Sequence, residues 1–216
     1  MTESITNNKT EKITIALCLL IAVGFAIASV IQRNDKLPNF GRELNVSSNE
    51  IIGKNPIFLN ESHGSFVLVE FGDYECPPCR ASVHPLNQLL KLNNTSVRFV
   101  FRNYPLTTIH PYSYDAAVLA EIAKEKGRFS FVHDALYADK VDANRLKHVA
   151  SEFQLESIDA KTPTVEVAKS RVDADMRFAQ SIGLSGTPTF VLCLPNGRVV
   201  QLSGLDMLSS AIKEFG

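Results

Sequence analysis

Phe66-Val-Leu-Val-Glu-Phe-Gly-Asp-Tyr-Glu-Cys-Pro-Pro-Cys79 is the stretch on which the reading of this chain turns. From Ser65 to Phe71 it is rich in strand-favouring residues and apolar nearly throughout, which fits a central strand covered on both faces. Pro77 to Leu92 then takes helical spacing, with Ala81, Leu86, Leu89 and Leu90 as expected core contacts and a kink expected at Pro85. Val97 to Phe101 reads as a second strand. Strand, helix and strand in that order make a βαβ unit, whose connection is right-handed.

Cys76-Pro77-Pro78-Cys79 therefore falls where the first strand hands over to the helix. A helix N-terminus presents unpaired N–H groups and the positive end of its dipole, which stabilise a thiolate, the form of sulfur that attacks disulfides. The spacing brings the second sulfur within bonding reach of the first, so a mixed disulfide can be resolved within the chain. Prolines suit that first turn, where N–H groups have no intrahelical partner to lose. This placement predicts Cys76 as the exposed nucleophile and Cys79 as the more buried resolving thiol. Two other readings of the pair stay open. A zinc knuckle would need further ligands, for which only His63 and His84 are near, and a static disulfide would serve in an oxidising compartment.

Downstream, Pro111–Lys126, Phe129–Ala138, Ala143–Phe153 and Thr164–Ile182 carry helical patterns, and Gly183 and Gly186 close that block. Thr189–Leu194 is a strand, Pro195-Asn196-Gly197 a turn, Arg198–Leu202 a further strand and Asp206–Phe215 a final helix. Thr187-Pro188 enters the first of those strands. A proline there cannot donate to a ladder, and with a C-x-x-C upstream it is expected to form a cis corner. Cys193 is expected to be buried and inert, and His110, His133 and His148 to be structural or solvent-facing. The Tyr112/Tyr114 and Phe129/Phe131 pairs read as helix packing.

The N-terminus adds a location. Residues 1–12 form a polar tail carrying Lys9 and Lys12, and the run Ile13–Ile31 contains no charge. A helix of that length spans roughly 28 Å, close to the hydrocarbon thickness of a bilayer. It reads either as a transmembrane signal anchor or as a cleavable signal peptide with Ala26-Ile27-Ala28 before the cut, and its continuation through Val30 and Ile31 favours the anchor. Both readings export the downstream domain. Residues 32–56, polar and without periodicity, read as a linker. The composition, 45 % hydrophobic and 21 % charged with a net charge of −1, is that of a globular protein and offers no basic stripe for nucleic acid.

The chain from about Asn55 onward resembles the DsbA-like branch of the thioredoxin superfamily. Beside the opening stretch, Phe101-Arg-Asn-Tyr-Pro-Leu106, His110-Pro111, Phe131-Val-His-Asp134 and Gly183-Leu-Ser-Gly-Thr-Pro-Thr-Phe190 carry the likeness. It implies an α/β thioredoxin-like domain over 57–216 with a helical subdomain inserted at about 107–183, all preceded by the one transmembrane helix. It also implies that Pro188 is cis and faces the Cys76–Cys79 pair, with the Thr187 backbone holding a substrate chain. Glu70, six residues before Cys76, matches the buried acid that moves protons to and from the resolving cysteine. Pro77 and Pro78 shape the redox potential. The strongest oxidants of the family have His where Pro78 stands, so a milder potential is expected within the roughly 150 mV that separates thioredoxin from DsbA. The implied activity is disulfide exchange with protein substrates. No metal or organic cofactor is expected, the electron partner is a membrane redox protein, and the chain is a monomer. Oxidase or isomerase is favoured over a reductase serving cytochrome maturation or a non-catalytic binding module.

Overall fold

Seven consecutive buried residues, Phe66–Gly72, form the strand around which the rest is arranged. The computed structural model describes residues 20–24 and 40–215, which fall in two units, 1–39 and 40–216. In the first unit residues 20–24 are helical. The tail over 1–12 and the remainder of the anchor expected over 13–31 lie outside the described residues, among which no helix is long and apolar enough to cross a membrane.

In the second unit the order is β1 (Gly41–Glu43), α1 (Ser48–Ile52), β2 (Phe66–Gly72), α2 (Pro77–Leu92), β3 (Val97–Asn103), α3 (Ser113–Glu125), α4 (Phe129–Ala138), α5 (Ala143–Glu152), α6 (Pro163–Ser181), β4 (Thr189–Cys193), β5 (Val199–Leu202) and α7 (Met207–Phe215). One sheet runs β1-β5-β4-β2-β3, with β2 and β3 parallel and the other pairs antiparallel. The alternation of a strand divides β2 between two cores. Val67, Val69 and Phe71 pack with Ile51 of α1 and Ala179 of α6 on one face. On the other, Phe101 of β3 meets Cys79 of α2, Leu119 of α3 and Leu136 and Tyr137 of α4. Helices α3 to α6 are the block between β3 and β4.

The linker reading of 32–56 is corrected over its second half. Gly41–Glu43 pairs with β5, from Gly41 opposite Leu202 to Glu43 opposite Val200. Ser47 and Glu50 then form a capping box. The Glu50 N–H donates to the Ser47 hydroxyl (3.3 Å), and the Ser47 N–H donates to the Glu50 carboxylate (3.0 Å). Ile51 is completely buried. Arg102 of β3 ties this helix down, donating to the carbonyls of Glu50 (2.8 Å) and Ile51 (3.0 Å) and to the Asp175 carboxylate of α6 (2.6 Å). The segment enters the fold through backbone pairing and capping, neither of which leaves a periodic apolar trace.

Two further expectations shift for one reason. Cys79, Val83, Leu86 and Leu90 form the inward stripe of α2, so Ala81 is exposed and Leu89 half-buried. The helix is continuous through Pro85, which lies on its exposed side. Likewise Phe129 of α4 is buried while Phe131 is 64 % exposed. Beyond α2, the free edge of β3 is covered. Leu59 N–H donates to the Phe99 carbonyl and the Asn60 amide oxygen accepts from Phe99 N–H, both at 2.9 Å.

Because Ile51 is sealed against β2, Ile51→Ala should cost about 2–5 kcal/mol in urea-unfolding stability. The same truncation at Ile109, exposed in the β3–α3 loop, should change it by less than about 0.5 kcal/mol. Equal effects would return residues 48–52 to the status of a tether.

Candidate active site

β2 ends at Gly72, where a Cβ would run into the Phe101 ring and sit 3.0 Å from Glu70 Oε1. The turn beyond it is fixed by the buried Asp73 carboxylate. Its Oδ1 accepts from Glu75 N–H (2.8 Å), and its Oδ2 accepts from Leu106 N–H (2.8 Å) and pairs with His110 Nδ1 (2.7 Å). The Asp73 carbonyl accepts from Cys76 N–H (3.1 Å), and Glu75 Oε2 accepts from Tyr112 N–H (2.8 Å). The turn is thereby bonded along the loop that leads from β3 into α3, and Cys76 is delivered to the N-cap of α2. Pro77 and Pro78 occupy the first helical turn and are exposed.

The far end of the chain comes back to this point. The Thr187–Pro188 peptide is cis, and Cys76 Sγ lies 3.4 Å from the Thr187 carbonyl oxygen, toward which the thiol donates. Both cysteines are free thiols. The expected exposed nucleophile is corrected: Cys76 is 3 % exposed and Cys79 fully buried. The Thr187–Pro188 corner lies against the first sulfur, and the Tyr74–Phe101 cluster packs around both.

Glu70 neither points to solvent nor pairs with a cation. Its register partners are Phe101 on β3 and Phe190 on β4, it is 3 % exposed, and Oε1 has no hydrogen-bond partner. Burial alone raises its pKa to about 8. Burial first, and the Glu70 charge second, push the Cys79 thiol well above the ordinary cysteine range. The Thr187 hydroxyl eases that ionisation slightly, while making no hydrogen bond of ordinary geometry. The pair thus has unlike surroundings: one thiol at a helix terminus beside a carbonyl, the other sealed beside an acid that shares its desolvation.

Hydrophobic and motif reading passed over several members of this neighbourhood. Asp73 and Glu75 flank Tyr74 as an acidic pair just before the cysteines, and that placement is the signal by which a turn clamp could have been found. His110, expected to be structural or solvent-facing, is the imidazole on Asp73. His133 lies inside an aromatic cluster, 4.7 Å from Phe101 between ring centres and 3.0 Å from the Tyr74 hydroxyl through Nδ1. Burial holds its pKa down to about 3, so it is a neutral imidazole. Cys193 belongs to the opposite core and burial raises its thiol to about 11. Among the described residues no group of His, Cys, Asp and Glu side chains could hold a metal ion.

The family model described as thioredoxin matches residues 54–214. The chain belongs to the thioredoxin family. A thioredoxin-like oxidoreductase from Silicibacter pomeroyi superposes with a TM-score of 0.61 at 25 % identity, covering 78 % of this chain and 97 % of that one. The thiol–disulfide exchange protein α-DsbA2 of Wolbachia pipientis gives 0.60 at 19 % identity over 77 % and 90 %, and BdbD of Bacillus subtilis 0.58 at 23 % over 80 % and 98 %. These last two bear on the fold alone. DsbA2 of Pseudomonas aeruginosa superposes with a TM-score of 0.53 at 25 % identity over 71 % and 90 %, and with it the resemblance read from the sequence stands: this is a thioredoxin-like α/β fold of the DsbA-like kind. Among curated proteins, Na(+)/H(+) antiporter NhaA 3 of Salinispora tropica is 36 % identical over 140 residues, 61 % of this chain and 20 % of the antiporter. NhaA 1 of Salinispora arenicola is 34 % identical over 155 residues, 67 % of this chain and 22 % of that protein. The chain spans about a fifth of the length of the curated relatives it matches.

The Glu70 environment has a sign that stability measurements can read. An acid whose pKa rises from 4.5 unfolded to about 8 folded holds its proton longer in the native state. Its contribution is therefore fully present below pH 4.5 and is lost as pH rises toward about 8, with a slope of up to about 1.4 kcal/mol per pH unit. Glu70→Gln should remove that slope from the pH dependence of urea unfolding. An unchanged slope would mean that Glu70 is ionised, and hence solvated or paired, in the folded protein.

Proposed function

We propose that the chain is an exported thiol–disulfide oxidoreductase that exchanges disulfides with protein substrates through Cys76 and Cys79, acting as an oxidase or isomerase. One observation carries the reading: the Cys76 thiol, at the N-cap of α2, lies 3.4 Å from the carbonyl of the cis Thr187–Pro188 corner. That juxtaposition supports Cys76 as a sulfur nucleophile with a backbone acceptor beside it on which an extended client can be held. Thr187 and Pro188 are accordingly the proposed client-binding residues.

In the oxidising direction a client thiolate attacks Cys76 Sγ of the Cys76–Cys79 disulfide. The S–S bond breaks and its electron pair leaves on Cys79. A thiolate at that buried position is costly, and a leaving group of high pKa leaves slowly. Glu70, with its pKa near 8, still carries its proton at pH 7 and can hand it to Cys79 as the charge appears. A second client thiolate then attacks the mixed disulfide, releases Cys76 as thiolate and departs as the oxidised client. Run backward, the Glu70 carboxylate takes the proton from Cys79 while Cys79 closes on Cys76.

The uncharged run over residues 13–31 supports export and a membrane anchor, with the thiol domain outside the cytoplasm and a membrane redox protein exchanging electrons with the pair. Cleavage of the same segment would leave a free periplasmic protein. The antiporter relatives match over about a fifth of their own length, so nothing of transport is taken from them. Pro78 offers no charge or donor to the first turn, which supports a potential milder than that of the family's strongest oxidants.

Cys76→Ser should abolish exchange with a reduced, unfolded client, and Cys79→Ser, offered a disulfide-bonded client, should accumulate a mixed disulfide trapped on Cys76. Equilibration of the pair against glutathione should give a potential above thioredoxin's, about −270 mV. A potential at or below that value would make it a reductase, and a pair that never equilibrates would leave only a binding module.

A further inference from the structure

Two tyrosines pack at a tilt of 46° beside the resolving cysteine, with ring centres 4.8 Å apart. They differ in what their hydroxyls do. Tyr74 spends its hydroxyl on His133 Nδ1 at 3.0 Å. Tyr137, reaching in from α4, is 5 % exposed, and its hydroxyl is buried with no hydrogen-bond partner. An orphaned buried hydroxyl is costly to the fold and calls for an explanation. A second orphan belongs to the same place: Glu70, the register partner of Phe101, has its Oε1 buried and unpartnered, and Tyr137 lies across the Phe101 ring at 6.0 Å between ring centres. Tyr137, Phe101 and Cys79 belong to one packed cluster.

Resting on the exchange reading, we propose that Tyr137 is a positioning residue for proton transfer, its hydroxyl donating to the Glu70 carboxylate formed whenever Glu70 and Cys79 pass their proton. In the resting protein Glu70 is neutral and asks little of a donor. At mid-cycle the proton sits on Cys79 and a carboxylate stands between its register partners Phe101 and Phe190, where among the described residues no salt bridge reaches it. A phenol hydroxyl is the donor such a carboxylate lacks. Tyr137 cannot become the base itself, because burial, then the Glu70 charge, then Cys79, push its ionisation far above the usual phenol range. The titratable groups around it are Glu70 from β2, Asp73 and Tyr74 from the turn after β2, Cys79 from α2, and His133 and Asp134 from its own helix. Asp73 is committed to His110 and two backbone N–H groups, and His133 is neutral and committed to Tyr74, so neither competes for the role.

Single-turnover oxidation of the reduced full chain by oxidised glutathione tests this. Cys76 thiolate first attacks glutathione disulfide and expels one glutathione. Cys79 then loses its proton to Glu70, attacks Cys76 Sγ and expels the second. In the wild type the second step should gain rate through the pH range in which Glu70 ionises. A donor to the carboxylate lowers that pKa, so Tyr137→Phe should move the limb upward by about one unit and slow the second step about tenfold at pH 7. Alkylation of Cys76 should not change. Glu70→Gln should abolish the limb, and Tyr137→Phe should add nothing in that background. Tyr74→Phe, whose hydroxyl is already spent on His133, should leave the limb where it is. A Tyr137→Phe protein with the wild-type limb, or an effect that adds fully to that of Glu70→Gln, would overturn the assignment and leave the exchange reading intact. Exchange that survives Cys76→Ser would instead overturn the reading beneath it.

Discussion

The carboxylate of Asp73 is the constraint on which the candidate site depends. It lies at the end of a fully buried strand, where the chain must leave the sheet and place a thiol at a helix terminus within a few residues. Left to itself that turn would expose several N–H groups to an apolar interior. Asp73 takes one of them, at Glu75, together with the Leu106 N–H and an imidazole nitrogen from the loop after β3, and its carbonyl takes the N–H of Cys76. Hydrogen bonds to a carboxylate are stronger than neutral ones, so one side chain can hold a strand end, a loop and a helix start in register. The loop it holds leads directly into α3, and through α3 into the helical block. The position of the block over the thiols therefore traces back to this one acid.

The same strand supports opposite demands on its two faces. Val67, Val69 and Phe71 make an ordinary apolar contact with α1 and α6, and there Arg102 is satisfied by two carbonyls and a carboxylate. On the other face Glu70 is buried with no such compensation. A buried polar group without a partner costs stability and is kept only where something else needs it. The contrast between Arg102, fully paired, and Glu70, unpaired, separates a structural charge from a chemical one within a single sheet.

Much of this is legible in the chain alone. The run from Phe66 to Cys79 carries its own secondary structure, because an unbroken apolar strand and a proline-led helix start are local patterns. Phe129–Ala138 is readable for the same reason. Whatever depends on partners distant in sequence escapes such a reading. Gly41–Glu43 contains nothing apolar and joins the sheet only because β5 offers its backbone. The box at Ser47 and Glu50 is a readable start signal, but it precedes a helix too short to show a period. Asp73 and His110 lie far apart in the chain, so neither predicts the other. Tyr137 looks like any aromatic on an inward helix face until its hydroxyl and Glu70 Oε1 are both found buried without a partner.

Burial also bears on how the two thiols divide their work. Both cysteines have a proline beside them on the inner side of the motif, so nothing beyond helix position distinguishes them in the sequence. In the fold, Cys76 stays within reach of the Thr187 carbonyl at the rim of the corner, whereas Cys79 is turned into the cluster of Tyr74, Phe101 and Tyr137. A charge on the first sulfur faces a helix terminus, and a charge on the second faces hydrocarbon and an acid. In the proposed cycle, exchange through Cys76 is governed by access and exchange through Cys79 by where its proton goes. On that proposal the rate of closure is tied to Glu70 and to whatever hydrogen-bonds it, rather than to the dipeptide between the sulfurs.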